Sequence, residues 1–285
     1  MSHSLSGWDI YPNSSNNLIN DQGYFTIIKP LSEVMGFFED FRQCMVCVPQ
    51  SLIFHNTTAS DNIMMYSDNT GYNVTVIFKE IIWRMRHVKL RIDKEIKLRK
   101  EVLGNTNFTM FYRHWLYQCT AIPAQSTEYT WEIPVAYSRV KWVIVAFQKD
   151  SSYSINKRMS QFELFNVENV QLSINNYWLY PKDRLNVKVG ERKAGNLYDM
   201  FLSFPKSYYN RQECDPICDY GTFLSKYPMI AIDCSHQPET VKDSLINAKL
   251  LINLREGFPI NAKLHLVMIM DRKVIYNPLT NQVIT

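Results

Sequence analysis

Apolar and polar residues alternate along much of the second half of the chain, and this pattern predicts β-strands. The clearest case is residues 127–137, where odd positions from Tyr129 to Val135 are aromatic or aliphatic and even positions from Glu128 to Glu132 are polar. Successive side chains of a strand point to opposite faces. One face of this strand should therefore meet a core and the other should meet solvent.

Further strand signals follow, separated by turn-forming residues. Residues 140–147 are apolar on both faces, as expected for a strand that is covered from both sides. The other signals lie at 170–175, 229–234, 246–254, 262–270 and 273–276, and Asn277 with Pro278 supplies the last turn. From residue 107 onward this makes about eight strands in roughly 180 residues, which is the size and strand number of a jelly roll.

The N-terminal third carries fewer signals. Residues 1–22 are rich in Ser and Asn and show neither periodicity, so we expect a flexible arm. Residues 24–29 predict a short strand, and the helical spacing of apolar residues over 31–41 predicts a short helix with Ser32 as its N-cap. Residues 74–85 alternate again and predict a longer strand.

Two helices are predicted elsewhere. Residues 91–103 are good helix formers followed by Gly104 as a C-terminal stop, which predicts a helical linker. Apolar residues from Leu197 to Phe204 share one helical stripe, and we expect this helix to end at Pro205, which lacks the backbone donor. Strands without alternating helices exclude a Rossmann or TIM-barrel layout. The predicted fold class is all-β with short helices.

Composition narrows the class of protein. The 285 residues are 46% hydrophobic and 20% charged, which is typical of a globular chain. The N-terminus lacks a signal-peptide pattern, and no apolar run reaches the roughly 20 residues that cross a bilayer, so we expect a soluble protein that is neither secreted nor inserted in a membrane. Without an export signal, the six cysteines are expected to stay free thiols.

One short stretch contains the side chains of a catalytic triad: Asp233, Cys234, Ser235 and His236. On a strand, however, Asp233 and Cys234 point to opposite faces, and Cys234 and His236 are ~7 Å apart along one face, beyond hydrogen-bond reach. We therefore predict that Cys234 fills the core and that Asp233 or Ser235 satisfies backbone groups at the strand end. The sequence predicts no catalytic residue, no cofactor and no enzymatic activity.

The cysteines and histidines are the candidate metal ligands of the chain. The thiolates of Cys44, Cys47, Cys214 and Cys218 have the number that a zinc ion needs, but no knuckle turn follows the first pair and the two pairs lie far apart. A cupin enzyme would need His and carboxylate ligands clustered inside a jelly roll. The histidines are scattered instead, so we predict no metal site; they are His3, His55, His87, His114, His236 and His265.

A basic stretch runs from Arg84 to Lys100, diluted by Asp93 and Glu95. It would suit contact with packaged nucleic acid or steering of assembly. The favoured interpretation is a solvated helix face with charge pairs four residues apart. Binding of nucleic acid is thus expected to be non-specific at most, and the formal net charge of +4 demands no polyanionic partner.

Several segments in order along the chain carry a resemblance to a known family. They are Phe25–Leu31, Gly36–Asp40, Ile82–Val88, Trp142–Gln148, Phe162–Leu172, Tyr180–Pro181, Tyr198–Met200, Ser207–Tyr209, Ile232–Ser235 and Tyr276–Asn281. In this ordered combination the chain resembles the double jelly-roll major capsid proteins of Polinton or Maverick elements and adintovirus-like viruses. It looks like a truncated, genome-resident copy of such a protein.

The resemblance implies a structural protein built of antiparallel jelly-roll sandwiches. It implies that residues 105–285 form a complete second jelly roll, that 23–104 hold a partial first jelly roll with a helical linker, and that 1–22 are an arm. It further implies self-assembly into homotrimers and a larger shell, with a minor capsid protein as a further partner. The expected location is the virion, after an intracellular stage. The alternative is a monomeric jelly-roll binding module of the lectin or receptor-binding kind, with ligands held by its loops.

Overall fold

The computed structural model describes most of the chain. The described residues are 19–54, 77–133, 140–149, 161–175, 178–188, 194–213, 216, 218–236 and 247–284. The predicted arm lies almost entirely outside them. Within them, Asn20 Oδ1 accepts hydrogen bonds from the backbone amides of Gln22 and Tyr24 in a local turn.

The described residues from 108 onward form nine strands, and every strand pairing with a described register is antiparallel. The strands are β1 (Phe108–Ala121), β2 (Glu128–Ile133), β3 (Val140–Lys149), β4 (Val167–Ile174), β5 (Trp178–Tyr180), β6 (Met229–Asp233), β7 (Ala248–Leu254), β8 (Ala262–Asn277) and β9 (Gln282–Ile284). The sequence signals at 262–270 and 273–276 belong to one continuous strand, and no bounds were predicted for β1, β5 or β9.

The strands form two sheets with orders β1-β8-β3-β6 and β2-β7-β4-β5, and β9 adds to β8. The pairs β1 with β8, β2 with β7, β3 with β6 and β4 with β5 are those of one long antiparallel hairpin. Folding that hairpin so that alternate pairs fall in opposite sheets gives a jelly roll. The predicted fold class is confirmed: two antiparallel sheets with a few short helices.

The core lies between the two sheets and follows the sequence alternation. Every even residue of β7 from Ala248 to Leu254 is buried, and so is every even residue of β8 from Ala262 to Met270. β3 is covered on both faces, as predicted, with Phe147 fully buried. Burial of a side chain of this kind stabilises the fold by about 1.5–3 kcal/mol.

The polar residues of β4 are also covered, which alternation alone does not reveal. Asn169 and Gln171 are buried, and Asn169 Nδ2 donates to Gln171 Oε1 at 3.0 Å. The connection after β5 supplies their other partners. Gln171 Nε2 donates to the carbonyl of Pro181 at 2.9 Å, and Asn169 Oδ1 accepts from the Leu185 amide at 3.0 Å. Buried amides are tolerated when they are paired in this way.

The helices are short. They are a 3₁₀-helix at Leu31–Glu33, α1 (Gly36–Asp40), α2 (Ile92–Leu103), α3 (Gly195–Tyr208) and α4 (Tyr220–Lys226). α2 confirms the predicted helix, and Gly104 follows its last residue. α4 was not predicted, although its N-cap is a clear one: Asp219 Oδ2 accepts from the Thr222 amide at 3.0 Å.

Two helix predictions were wrong in detail. The stretch 31–41 is a 3₁₀ turn followed by the five-residue α1, and Pro30, not Ser32, precedes the first of them. The second helix does not end at Pro205 but continues to Tyr208. Tyr208 is buried and accepts a hydrogen bond from the indole Nε1 of Trp115 at 3.0 Å. This packing holds the last turn in helical form despite the missing proline donor.

Two strand predictions were also wrong. Residues 24–29 form no strand, and only Ile27 takes part in a β-bridge. Residues 77–85, the described part of the predicted strand 74–85, contain neither strand nor helix. Both segments have strand-forming residues, but a strand needs a neighbour to pair with. In the described part of the chain, neither segment joins either sheet.

The chain forms two compact units: residues 1–47, 96–114 and 272–285 make one, and 48–95 and 115–271 make the other. In the first, Asp40 accepts hydrogen bonds from both the backbone amide and the guanidinium of Arg113, and Phe37 packs edge-on against Tyr112. The second contains the core between the sheets. The predicted boundaries at 22 and 104 are not tested by this division and stay predictions.

Candidate assembly surface

Exposed apolar side chains concentrate in one stretch before the first strand, residues 77–103, which we call the apolar segment. It carries nine exposed large hydrophobic residues: Ile77, Phe78, Ile81, Ile82, Met85, Val88, Ile92, Ile96 and Leu103. Ile77 is 76% exposed and Leu103 is 73% exposed. Helix α2, which ends the segment, has no buried residue on any face.

Single exposed hydrophobic residues are normal, but a run of this density is not. The nine residues fall within 27 positions, and the chain leaves them in water at a cost of about 25 cal/mol for each Å² of apolar surface that stays uncovered. Exposed apolar residues grouped this closely along a chain are typical of sites that bind another macromolecule. The apolar segment is therefore the leading candidate for an interface.

The first part of the same stretch carries mostly positive charge. Between Ile77 and Arg91 stand five basic residues and one acidic residue, so this part carries 5 − 1 = +4, which equals the formal net charge of the entire chain. One ion pair of this region joins Arg91 Nε to Asp93 Oδ1 at 3.3 Å, two residues apart, and the charge pairs four residues apart stay a prediction. Both side chains are largely exposed.

The four-stranded sheet offers a complementary feature at its edge. β2 ends that sheet and pairs, in the described part of the chain, with β7 alone. Its polar face carries Glu128 and Glu132, and its other face carries Tyr129 and Trp131, which pack against the core. Glu132 binds Lys249 Nζ at 2.9 Å, and Glu128 Oε1 accepts from Asn253 Nδ2 at 3.2 Å, yet the Glu132 side chain stays 73% exposed.

A tyrosine and a histidine meet on β1 and β8. The Tyr117 hydroxyl lies 2.8 Å from His265 Nδ1, and the two rings stack. Burial, reinforced by the neighbouring Cys119 thiol, raises the pKa of Tyr117 to about 12. Tyr117 therefore stays protonated and neutral at physiological pH, so the pair offers no phenolate nucleophile.

In the stretch from Asp233 to His236, Cys234 lies in the core and Asp233 bonds a backbone group at the strand end, as predicted. Cys234 is fully buried, and burial raises the pKa of its thiol well above its usual range, so it stays protonated. Asp233 Oδ1 accepts from the Ser235 amide at 2.8 Å, which closes the strand end. His236 lies exposed beyond the strand. These contacts give Asp233, Cys234 and Ser235 structural roles, whereas the absence of any catalytic residue stays a prediction.

The cysteines considered for zinc are not assembled into a site among the residues that the structure describes. There, no three side chains of His, Cys, Asp or Glu come close enough to hold a metal ion. Cys44 and Cys47 are exposed, and Cys214 lies outside the described residues. Burial, followed by the charge of Asp219, raises the pKa of the Cys218 thiol, which disfavours the thiolate that binds zinc.

Comparison with known families decides where the fold belongs. The model of the double jelly roll-like domain matches residues 3–275. The chain belongs to the double jelly roll-like domain family. Among curated proteins, none matches the sequence of this family member.

Solved structures also resemble this double jelly roll-like chain. A chain of the Sputnik virophage cryo-EM structure is 9% identical, with a TM-score of 0.39, and the alignment covers 62% of this chain and 39% of that one. A chain of the PBCV-1 virus capsid model is 6% identical, with a TM-score of 0.35 and coverage of 66% and 54%. This chain therefore spans about two-fifths to one-half of the length of the structures that it matches.

The sequence predicted a strand in the first part of the apolar segment and a helix in the second, but not the exposure of the first part. The alternation over 74–85 predicted a paired strand with a buried face, whereas every described residue of that stretch except the half-buried Trp83 is exposed. Alternation reports which residues can form a strand and not whether a partner strand is present. Within the described residues of this family member, no helix is long and apolar enough to span a membrane.

Proposed function

We propose that this double jelly roll-like chain is a structural capsid-type subunit that acts by self-assembly and not by catalysis. The observation that carries the proposal is the apolar segment, whose exposed hydrophobic residues lie outside a sandwich that already has its own buried core. Exposed apolar residues of this number are typical of a site that another macromolecule covers. Membership of the double jelly roll-like family supports a shell as the assembly that covers it.

A shell built in this way relies on many modest interfaces. Each contact is weak enough for a wrongly placed subunit to dissociate during assembly. The contacts together bind strongly because each subunit makes several of them at once. The proposal includes a homotrimer as the first assembly, a larger shell in the virion, an intracellular stage before assembly and a minor capsid protein as a further partner. It places the gene in a Polinton-like or adintovirus-like element, as a viral or domesticated copy.

Mass photometry followed by negative-stain electron microscopy of the purified chain tests this function. The expected result is trimers or larger particles whose share rises with concentration. The competing function, a monomeric binding module with ligand sites on its loops, predicts one monomeric species that a ligand stabilises against heat. Monomers alone, over a wide range of salt and protein concentration, would reject assembly.

A further inference from the structure

The apolar segment contains a six-residue stretch, Ile81–Arg86, with the chemistry of a half-buried strand. If it is extended and paired, alternate side chains fall on opposite faces. Ile81, Trp83 and Met85 then form an apolar face, and Ile82, Arg84 and Arg86 form a basic one. In the structure this stretch is in neither sheet, and Ile81 and Ile82 are each 60% exposed.

The edge strand β2 has the same length and the matching faces. It too has six residues, with Tyr129, Trp131 and Ile133 on its core face. Its other face is acidic, with Glu128 and Glu132. A strand added beside β2 would extend the apolar face with Ile81, Trp83 and Met85 and would place arginines beside glutamates. Opposite charges on neighbouring strands stabilise pairing, whereas like charges oppose it.

Charge selects β2 over the other sheet edges. β1, which ends the five-stranded sheet, has no acidic residue and contains Arg113. β5 has three residues and no charge, and β6 has a single acidic residue, Asp233, at its end. Pairing of the segment with the same segment of a second copy is disfavoured, because both would carry +4 between Ile77 and Arg91.

From these matches we infer that residues Ile81–Arg86 of one copy add as a strand to the outer edge of β2 in a second copy, the edge with which no described strand pairs. Main-chain hydrogen bonds along the edge supply affinity, and the paired faces fix the register, as in β-strand addition generally. Each copy both donates a segment and offers an edge, so the same contact can be repeated from copy to copy. It rests on the proposed function, for which it supplies one interface.

Charge reversal in the full-length chain tests the contact. One variant carries Arg84→Glu with Arg86→Glu, and another carries Glu128→Arg with Glu132→Arg. Each alone should raise the dissociation constant for self-association about tenfold or more, because attraction between the charged side chains of the two strands becomes repulsion. A 1:1 mixture of the two variants restores the contact, since the acidic segment of one meets the basic edge of the other.

The matched control is Lys94→Glu with Lys97→Glu on α2, which makes the same change of net charge at two exposed positions outside the stretch. It should leave the dissociation constant within about twofold of wild type. Mass photometry of each variant and of the mixture, after nuclease treatment, measures the outcome. Circular dichroism confirms that each variant keeps its β-sheet signal.

Three results would overturn the inference. Association of both reversal variants at wild-type strength would show that β2 and the segment do not meet. Loss of association in the arginine variant alone, with the glutamate variant unaffected, would assign the segment to an acidic surface other than β2. Failure of the mixture to associate would exclude pairing between copies. A wild-type chain that is monomeric throughout would instead reject the proposed function itself.

Discussion

At the scale of the residue, burial decides what Cys234 does. A thiol needs to be deprotonated and accessible to act as a nucleophile. Cys234 is fully buried, and burial raises its pKa well above the usual range. Its neighbours Asp233 and Ser235 bond to each other across the strand end. The sequence order of these residues suggests a triad, but the strand geometry separates them.

Thiol labelling in the native protein checks this account. Cys44, Cys47 and Cys119 are exposed and should react with a thiol reagent within minutes, whereas Cys234 should react only after unfolding. Mass spectrometry after proteolysis identifies the labelled sites. Modification of Cys234 at the rate of the exposed thiols, without denaturant, would contradict its assignment to the core.

His114 makes stability depend on pH. Burial, and then the charge of Arg272, lowers the pKa of His114 below its usual value of 6.5. The unfolded chain therefore binds a proton more readily than the folded chain, so stability is present above about pH 6.5 and is lost as the pH falls through that value toward the folded pKa. His114→Gln should reduce this loss. Urea unfolding at about pH 7.5 and about pH 5.5 measures the loss of unfolding free energy in both proteins. A variant that loses as much stability as the wild type would contradict the role given to His114.

At the scale of the element, α3 shows how packing extends a helix past its sequence signal. The aromatic rings of Trp142 and Phe204 pack edge to face, and Trp115 donates to the Tyr208 hydroxyl. Tyr208→Phe should lower the free energy of unfolding by about 1 kcal/mol, because it leaves the indole N–H without this acceptor. Tyr209→Phe, at an exposed neighbour, is the control. Thermal unfolding compares them, and equal effects would contradict the role given to Tyr208.

The elements that sequence alone predicted well are those with long, uniform patterns. β3, β7 and β8 alternate or run apolar over seven residues or more, and α2 ends at a glycine. No bounds were predicted for the 14-residue β1, and the other elements that were missed are short: α4 has seven residues, and β5 and β9 have three each. The continuation of α3 through Pro205 depends on a contact distant in sequence, the hydrogen bond from Trp115 to Tyr208.

The candidate interface could be predicted only in part. The sequence shows a basic and apolar stretch, but its exposure depends on whether another strand pairs with it, which no local pattern reports. The position of β2 at the end of its sheet, in the described part of the chain, follows from sheet order, which depends on pairing between strands over a hundred residues apart, such as Glu128 with Asn253. Glu128 and Glu132 were predicted to face solvent, and the structure adds that they lie on an edge strand.

At the scale of the whole molecule, folding and assembly use different hydrophobic residues. Phe147 is fully buried between the sheets, whereas Phe78 is 60% exposed in the apolar segment. Phe147→Ala should cost about 3–5 kcal/mol of stability through the cavity that it leaves. Phe78→Ala should change stability by less than about 0.5 kcal/mol while weakening association. Urea unfolding and mass photometry of both variants test this division, and a large stability loss in Phe78→Ala would contradict it.

The central claim is that this double jelly roll-like chain works through its exterior, by associating with other copies. Sedimentation velocity of the full-length wild-type chain, run over a series of protein concentrations at low and at high salt, tests it most directly. The account predicts a monomer boundary that gives way to faster-sedimenting oligomers as concentration rises. A single boundary at the monomer mass under every condition would contradict it.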